Sequence, residues 1–282
     1  VNENRAPTDA LDDAEPVDAD AAPGAPDPRE KPMGFLDHLE ELRWTLIKCA
    51  IALAAAAGLV GYFLKEFNDV LLWPLRHVQA QRDGLALELT TRSVMEGFSI
   101  VIQLCGFGGL ALAAPFMIIF IGQFVAPALS EAEKRLVIPT GLSATALFIL
   151  GAAFGFFLLT PSTLRVSLEI NDLMSYKPQW TPDSYYSLLT WLVLGVGAAF
   201  EFPLLIVMAV HFGMLRVETL RRFRRHSIVG IFIVAAVVTP TPDPFTQTMF
   251  AAPLYLLFEI AILVGARVQA RRDARLAAAG IA

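Results

Sequence analysis

The sequence predicts an all-α, polytopic membrane protein. It should have six transmembrane helices, both termini cytoplasmic, short fifth and sixth spans, and a cap built from the first two outer loops. Three observations carry this. Of 282 residues, 55% are hydrophobic and 17% charged, with mean hydropathy +0.55; soluble domains run near 25% charged. The apolar residues fall in runs of about the 20 residues that a helix needs to cross a bilayer. Lys and Arg, finally, are distributed unevenly between the connections.

Residues 1–32 form an Ala/Pro/Asp-rich segment. Residues 1–30 hold nine acids and two bases, a net charge of −7. With almost no large apolar residue, the segment cannot bury enough surface to offset its ordering entropy, so it is expected to be a disordered, solvated acidic cytoplasmic tail. It lacks the apolar core of a cleavable signal peptide.

The membrane domain is expected over 33–266. Trp44–Leu64, Ile100–Val125, Leu136–Thr160 and Leu188–Phe212 are full-length runs, with Lys48 and Glu201 their only charges. Ile228–Thr239 and Met249–Ala266 are shorter and flank Pro240-Thr-Pro-Asp-Pro244, where a helix must stop. They read as a hairpin. The 12 residues of the fifth run reach about 18 Å against a core of about 30 Å. Two readings stand: a half-membrane helix shielded by neighbours, or a locally thinned bilayer. The segment 267–282 is expected to be a basic cytoplasmic tail.

Sixteen of the 22 Lys and Arg residues lie on the side of the termini, and six on the other. The basic side is cytoplasmic. The run Leu220-Arg-Arg-Phe-Arg-Arg225 is explained as topogenic charge and needs no nucleic acid. The outer loops, Lys65–Ser99 and Pro161–Ser187, mix apolar residues with Trp and Pro. They should form short interfacial helices over the bundle.

Cys49 and Cys105 lie in apolar runs and read as small buried hydrophobes. The four histidines lack ligand spacing, and no phosphate loop or nucleophile motif appears. No metal, cofactor or enzymatic role is expected.

Several polar residues stand out. Glu201 sits at the midpoint of the fourth run, where a carboxylate costs about 2.5–3.5 kcal/mol on insertion scales. Pro203 cannot donate to the carbonyl of Ala199. Glu201 is either a neutral, locally satisfied acid or a group facing a water-accessible cavity. Gln247 is either a hydrogen-bonding group for a neighbouring helix or a helix-start residue in the headgroup zone. Before the first span, Phe35-Leu-Asp-His-Leu-Glu-Glu-Leu-Arg43 forms an amphipathic start with Leu36, Leu39 and Leu42 on one side and acids on the other. The second-to-third connection adds Glu131 and Glu133. Glu133 is either the far end of a capping box from Ser130 or part of an acidic clamp for a basic peptide.

In order along the chain, these residues resemble the twin-arginine protein translocase subunit family TatC, over roughly 33–266. His38-Leu-Glu-Glu-Leu-Arg43 resembles the family's His-Leu-x-Glu-Leu-Arg start. Gln123-Phe-Val-Ala-Pro-Ala-Leu129 with Glu133-Lys-Arg135 resembles its first cytoplasmic loop, and Ala199-Phe-Glu-Phe-Pro203 its fourth span. Thr239-Pro-Thr-Pro-Asp-Pro-Phe-Thr-Gln247 resembles its last periplasmic turn. The resemblance implies a receptor in the bacterial cytoplasmic membrane for folded proteins bearing a signal with two consecutive arginines. It implies Glu41 and Glu133 as acidic contacts, with Arg43, Phe124 and Pro127 shaping the surface. Pro74 matches the proline of the first periplasmic loop, Glu201 the intramembrane acid, and Asp243 and Gln247 the last turn and following helix. The implied partners are the single-span TatA and TatB, docking at the last two spans, the lipid bilayer, and further copies of the chain; the implied energy source is the protonmotive force. The sequence departs from the family at Trp44-Thr45, where many members have a second Arg two positions after Arg43, and at Phe156, where some carry Tyr.

Two other classes fit the sequence less well. An ion-coupled transporter using Glu201 would need an inverted repeat and a second midplane acid. No repeat is visible, and Glu259 lies toward the cytoplasm. A membrane enzyme would need a reactive pair or metal ligands at one depth, and none is present in the sequence.

Overall fold

The computed structural model describes residues 35–82, 88–125, 131–240 and 243–278. The expected disordered tail, Pro127 and the Ser130 cap lie outside these residues. The described residues form eleven helices and no strand. Five helical stretches are long and apolar enough to cross a membrane: 38–62, 94–125, 137–173, 182–211 and 244–274.

Helix α1 (Phe35–Tyr62) pairs along its length with α4 (Val94–Val125). Small residues make the close approach possible: a Cβ at Gly109 would lie 2.9 Å from the Ala57 Cα. Tails of lipid are as apolar as leucine, so close backbone packing is what holds such helices together. The same device joins α5 (Glu131–Phe154) to α7 (Pro182–Ala199), where a Cβ at Gly151 would lie 2.9 Å from the Val196 carbonyl oxygen.

The third span does not end at Thr160. It continues through a π-helical turn, Gly155–Leu159, into α6 (Thr160–Leu173). The 37 residues of this stretch rise about 55 Å, so its outer part stands clear of the hydrocarbon. Pro161 accounts for the π turn, because it has no N–H to continue the α ladder. The Thr160 N–H closes the π turn on the Gly155 carbonyl, and its hydroxyl donates to the same oxygen at 2.9 Å.

Two short helices of the first outer loop, α2 (Leu64–Leu71) and α3 (Trp73–Ala80), pack against α6 and α7. Pro74 is buried at the start of α3, where a missing N–H costs nothing. Tyr185 donates its hydroxyl to the Leu71 carbonyl at 2.6 Å, and the Tyr186 hydroxyl bonds Asn68. Arg82 pairs with Asp172 at 2.6 Å. These contacts form the outer cap. Phe156 joins it by stacking on Trp73 at 6.0 Å.

The fourth span is broken. Helix α7 ends at Ala199, and α8 (Phe202–His211) begins beyond a turn at Phe200-Glu201. Helix α9 (Val217–Arg222) lies in the next connection, and α10 (Arg224–Val238) runs antiparallel to α11 (Pro244–Ala278). The 15 residues of α10 reach about 22 Å, and it is not among the five full-length stretches. Helix α11 differs from the expected short sixth span: its 35 residues run through the boundary placed at 266/267. An apolar run measures where lipid ends, whereas a helix of Ala, Arg, Gln and Asp continues in water when it has a surface to dock on.

We expect Gly109→Ala to lower stability by about 1–3 kcal/mol, the usual cost of overpacking. Gly106→Ala, which meets nothing within 4 Å, should be neutral. Thermal denaturation in detergent would compare them; equal midpoints would show that α1 and α4 do not depend on this close approach.

Candidate functional site

The first cluster lies at the cytoplasmic end of α1 and α4. The His38 ring stacks on Phe124, with centroids 4.6 Å apart and planes 20° from parallel. The N-terminal segment and the end of the second span therefore meet. One turn on from His38, Glu41 is half-buried, and its Oε2 is enclosed without a hydrogen-bond partner among the described residues. Its carbonyl accepts from the buried Thr45 hydroxyl at 2.9 Å. Thr45 thus has a local role on the helix backbone at one of the positions where the sequence departs from the family. Arg43 is exposed. Glu133 lies in the first turn of α5, directly after the connection from Phe124.

A second cluster lies within the membrane. Glu201 caps the broken fourth span. Its N–H bonds the Ala198 carbonyl at 3.1 Å, and its own carbonyl accepts from Leu204 and Leu205. This is how the backbone accommodates Pro203. The Glu201 side chain is half-buried, and its Oε1 is enclosed without a hydrogen-bond partner among the described residues. Further out, Gln103 of α4 donates to Ser187 of α7 at 2.8 Å. These two line a groove of about 460 Å³ with Thr190 and Trp191. Gln103 Oε1 and Thr190 Oγ1 are likewise enclosed and unpartnered. The sequence reading passed over this groove. Its signal was three uncharged polar residues at the outer ends of two apolar runs.

The third cluster is the α10–α11 hairpin. Asp243 is the N-cap of α11: its Oδ1 accepts from the Thr246 N–H at 2.8 Å, and the Thr246 hydroxyl bonds its other oxygen. Pro244 follows at the first helical position, where its fixed φ is favourable. Gln247 bridges the hairpin, donating to the Phe232 carbonyl at 3.0 Å. Trp191 of α7 donates to the Val238 carbonyl at 2.8 Å, holding the end of α10. An apolar groove of about 230 Å³ runs between the two helices, past Phe232, Ala251 and Ala252. At its cytoplasmic end, Glu259 accepts from Arg224 at 2.8 Å and from the Tyr255 hydroxyl at 2.9 Å. Glu259 is therefore occupied in joining α10 to α11.

The cytoplasmic part of α11 is docked. Helix α8 ends in a Schellman turn: Gly213 N–H bonds Val210, Met214 N–H bonds Ala209, and Gly213 has φ +76°. Arg272 Nη1 donates to the Val210 carbonyl at 3.1 Å. Gln269 accepts from the Val217 N–H at 2.9 Å and so caps α9. The Glu218 carboxyl is held below the ordinary range by its own backbone N–H and by the Gln269 amide, with Arg216 and Arg221 adding to the effect. No cluster of three or more metal-ligating side chains occurs among the described residues.

The fold and these clusters define a multi-pass helical membrane protein with polar groups on its cytoplasmic end and inside its spans. The family model described as "Sec-independent protein translocase protein (TatC)" matches residues 37–253. The TatC of Koribacter versatilis is 31% identical over 89% of this chain and 93% of its own length. That of Aquifex aeolicus is 34% identical over 83% and 95%, and that of Escherichia coli K12 34% over 81% and 86%. The crystal structure of the twin arginine translocase receptor TatC in DDM superposes with a TM-score of 0.67 at 34% identity, over 81% of this chain and 99% of that one. The chain belongs to the TatC family of protein translocase proteins, and is a multi-pass inner-membrane component of the Tat protein-transport pathway.

Replacing Asp243 by Ala should cost about 0.5–2 kcal/mol, the usual loss of an N-cap, while Asn should retain most of it. Protease sensitivity of the α10–α11 turn would report this. Equal digestion of all three proteins would show that the cap does not hold the hairpin.

Proposed function

We propose that this chain is the receptor subunit of the twin-arginine translocase. It binds the Arg-Arg signal of folded cargo at its cytoplasmic face, then supports export driven by the protonmotive force. The observation that carries this is the His38–Phe124 stack, which brings together the two segments the resemblance implicates. Glu41 lies one turn further along α1, with one carboxylate oxygen enclosed and unpartnered among the described residues, and Glu133 lies in the first turn of α5, after the connection from Phe124. Arg43, Phe124 and Pro127 complete the surface in this reading. A guanidinium gives a carboxylate two parallel, charge-assisted hydrogen bonds that an ammonium cannot reproduce.

The single-span partners TatA and TatB dock, in this reading, at the α10–α11 pair, and further copies of the chain join the complex. Support comes from the shortness of α10, the apolar groove beside Gln247, and the many exposed apolar residues of α10, including Val229, Ile233 and Val237. Glu201 serves transport or partner assembly, because a carboxyl oxygen enclosed in a span without a hydrogen-bond partner among the described residues is costly unless something uses it. An ion-coupled transporter is less well supported: Glu259, the other acid in a span, is taken up by Arg224 and Tyr255.

Affinity of the purified chain for a signal peptide tests the receptor reading. We expect Glu41→Ala and Glu133→Ala each to weaken an Arg-Arg peptide roughly tenfold or more, in line with about 1.5–3 kcal/mol for hydrogen bonds to charged groups. A Lys-Lys peptide should bind the parent comparably weakly. Equal affinity for the two peptides would overturn the clamp.

Export by a Glu201→Ala variant provides a separate test. Transport should fall severely while peptide affinity stays within about twofold, since the clamp and the buried acid lie on different elements. Full export would remove Glu201 from the mechanism.

A further inference from the structure

We infer that the acidic N-terminal segment, residues 1–30, docks by charge on an arginine-rich cytoplasmic face formed by α9, the start of α10 and the end of α11. Both lie on one side of the membrane. Four of the five full-length helical stretches separate them, and an even number of crossings returns the chain to the side on which it started. The end of α11 lies on that side too, because Gln269 caps α9.

The face carries nine arginines between residues 212–227 and 259–278, against Glu218, Glu259 and Asp273, a net charge of +6. Its acids are already engaged: Glu259 by Arg224, Asp273 by Arg272, and Glu218 by Gln269. Arg222, Arg225, Arg267 and Arg271 are exposed and make no hydrogen bond or ion pair with the described residues. Topogenic charge explains why bases are on this side. It does not supply them with counterions.

The N-terminal segment is matched in magnitude. Its net charge of −7 faces +6, and it joins the fold at Phe35, the first described residue of α1. Thirty residues span up to about 100 Å when extended. A bundle of six helices is on the order of 30–40 Å across, at about 10–12 Å per helix, so the segment has ample reach. Tethering raises its effective concentration to the millimolar range, which makes many weak, exposed ion pairs sufficient. Anionic lipid headgroups share the same chemistry but compete from the membrane surface. Arg267 and Arg271 sit on the part of α11 that follows its apolar run, where a tethered acidic chain has the better access.

The test is photocrosslinking in the full chain. A photoreactive residue replaces Val17, the chain is placed in phosphatidylcholine nanodiscs, and crosslinked peptides are mapped by mass spectrometry. Products should concentrate on 216–227 and 267–275. They should fall at least fivefold in Arg221→Gln/Arg222→Gln/Arg225→Gln and between 50 and 500 mM salt. Because that variant could perturb topology, a second one changes only the segment: Asp12→Asn/Asp13→Asn/Glu15→Gln/Asp20→Asn should lose the same products. Unchanged crosslinking in the segment variant would overturn the inference. So would loss of the products in nanodiscs with 30% phosphatidylglycerol, which would assign the arginines to lipid headgroups.

Discussion

In hydrocarbon every backbone N–H and C=O must find a partner within the protein, and this constraint organises the molecule wherever its helices are interrupted. Several of the interruptions carry a visible adjustment. Ahead of Pro161 the ladder shifts to a π turn, in which the Thr160 N–H and hydroxyl both reach the Gly155 carbonyl. Before Pro203 the chain turns, and Glu201 closes the turn with its own backbone. At the end of α10, the Thr239 hydroxyl takes the Ala235 carbonyl and Trp191 takes that of Val238. The polar side chains inside the spans therefore divide into two groups: those that repair backbone, and those such as Glu201 and Thr190 whose side-chain oxygens have nothing to repair.

The same bookkeeping explains why α11 is long. Helix α8 has ten residues, too few to be stable alone in water, and it starts at the break that carries Glu201. Its far end is closed by the Gly213 turn and by Arg272 from α11. A Cβ at Gly213 would meet Arg272 Nη1 at 2.6 Å, so glycine serves both the positive φ and the approach of the guanidinium. A cation at a helix C-terminus also opposes the partial negative charge there. The cytoplasmic end of α11 thus fixes the half-helix that begins at the intramembrane acid, and connects the α9 loop to the middle of the bilayer.

Much of this was legible in the sequence. Long apolar runs specify spans because the bilayer sets their length, and Pro240 marks a stop because proline cannot donate; Pro203, inside an unbroken apolar run, does not announce the turn at Phe200-Glu201. The Pro-rich turn between the last two helices and the short helices of the first outer loop follow from similarly local rules. What was not legible is tertiary. Nothing in the composition of 267–278 shows that it remains helical, because its stability comes from contacts with Val210 and Val217 more than fifty residues away in the chain. The continuation of the third span past Thr160 is hidden for a related reason: Pro161 reads as a terminator, and the π turn before it, closed by the Thr160 N–H on Gly155, is not written in the composition. The Gln103–Ser187 contact joins residues 84 apart that carry no charge to draw attention.

The unpartnered carboxylate oxygens of Glu41 and Glu201 have opposite relations to water. Leaving a carboxyl oxygen enclosed without a partner costs about 1–3 kcal/mol or more. Such a cost is released to whatever supplies the missing donor, which makes each oxygen a point of selection. In the proposed receptor, Glu41 lies among the exposed Leu39, Glu40, Leu42 and Arg43, so its donor arrives from the cytoplasm, and arginine delivers two N–H groups in fixed geometry. At Glu201 the donor must come through the bilayer or along a polar path, so its carrier is a helix, a water or a proton. In the proposed receptor, the first oxygen selects which chain binds and the second responds only to what has entered the membrane. One receptor can therefore hold a signal at its surface without committing to the later step.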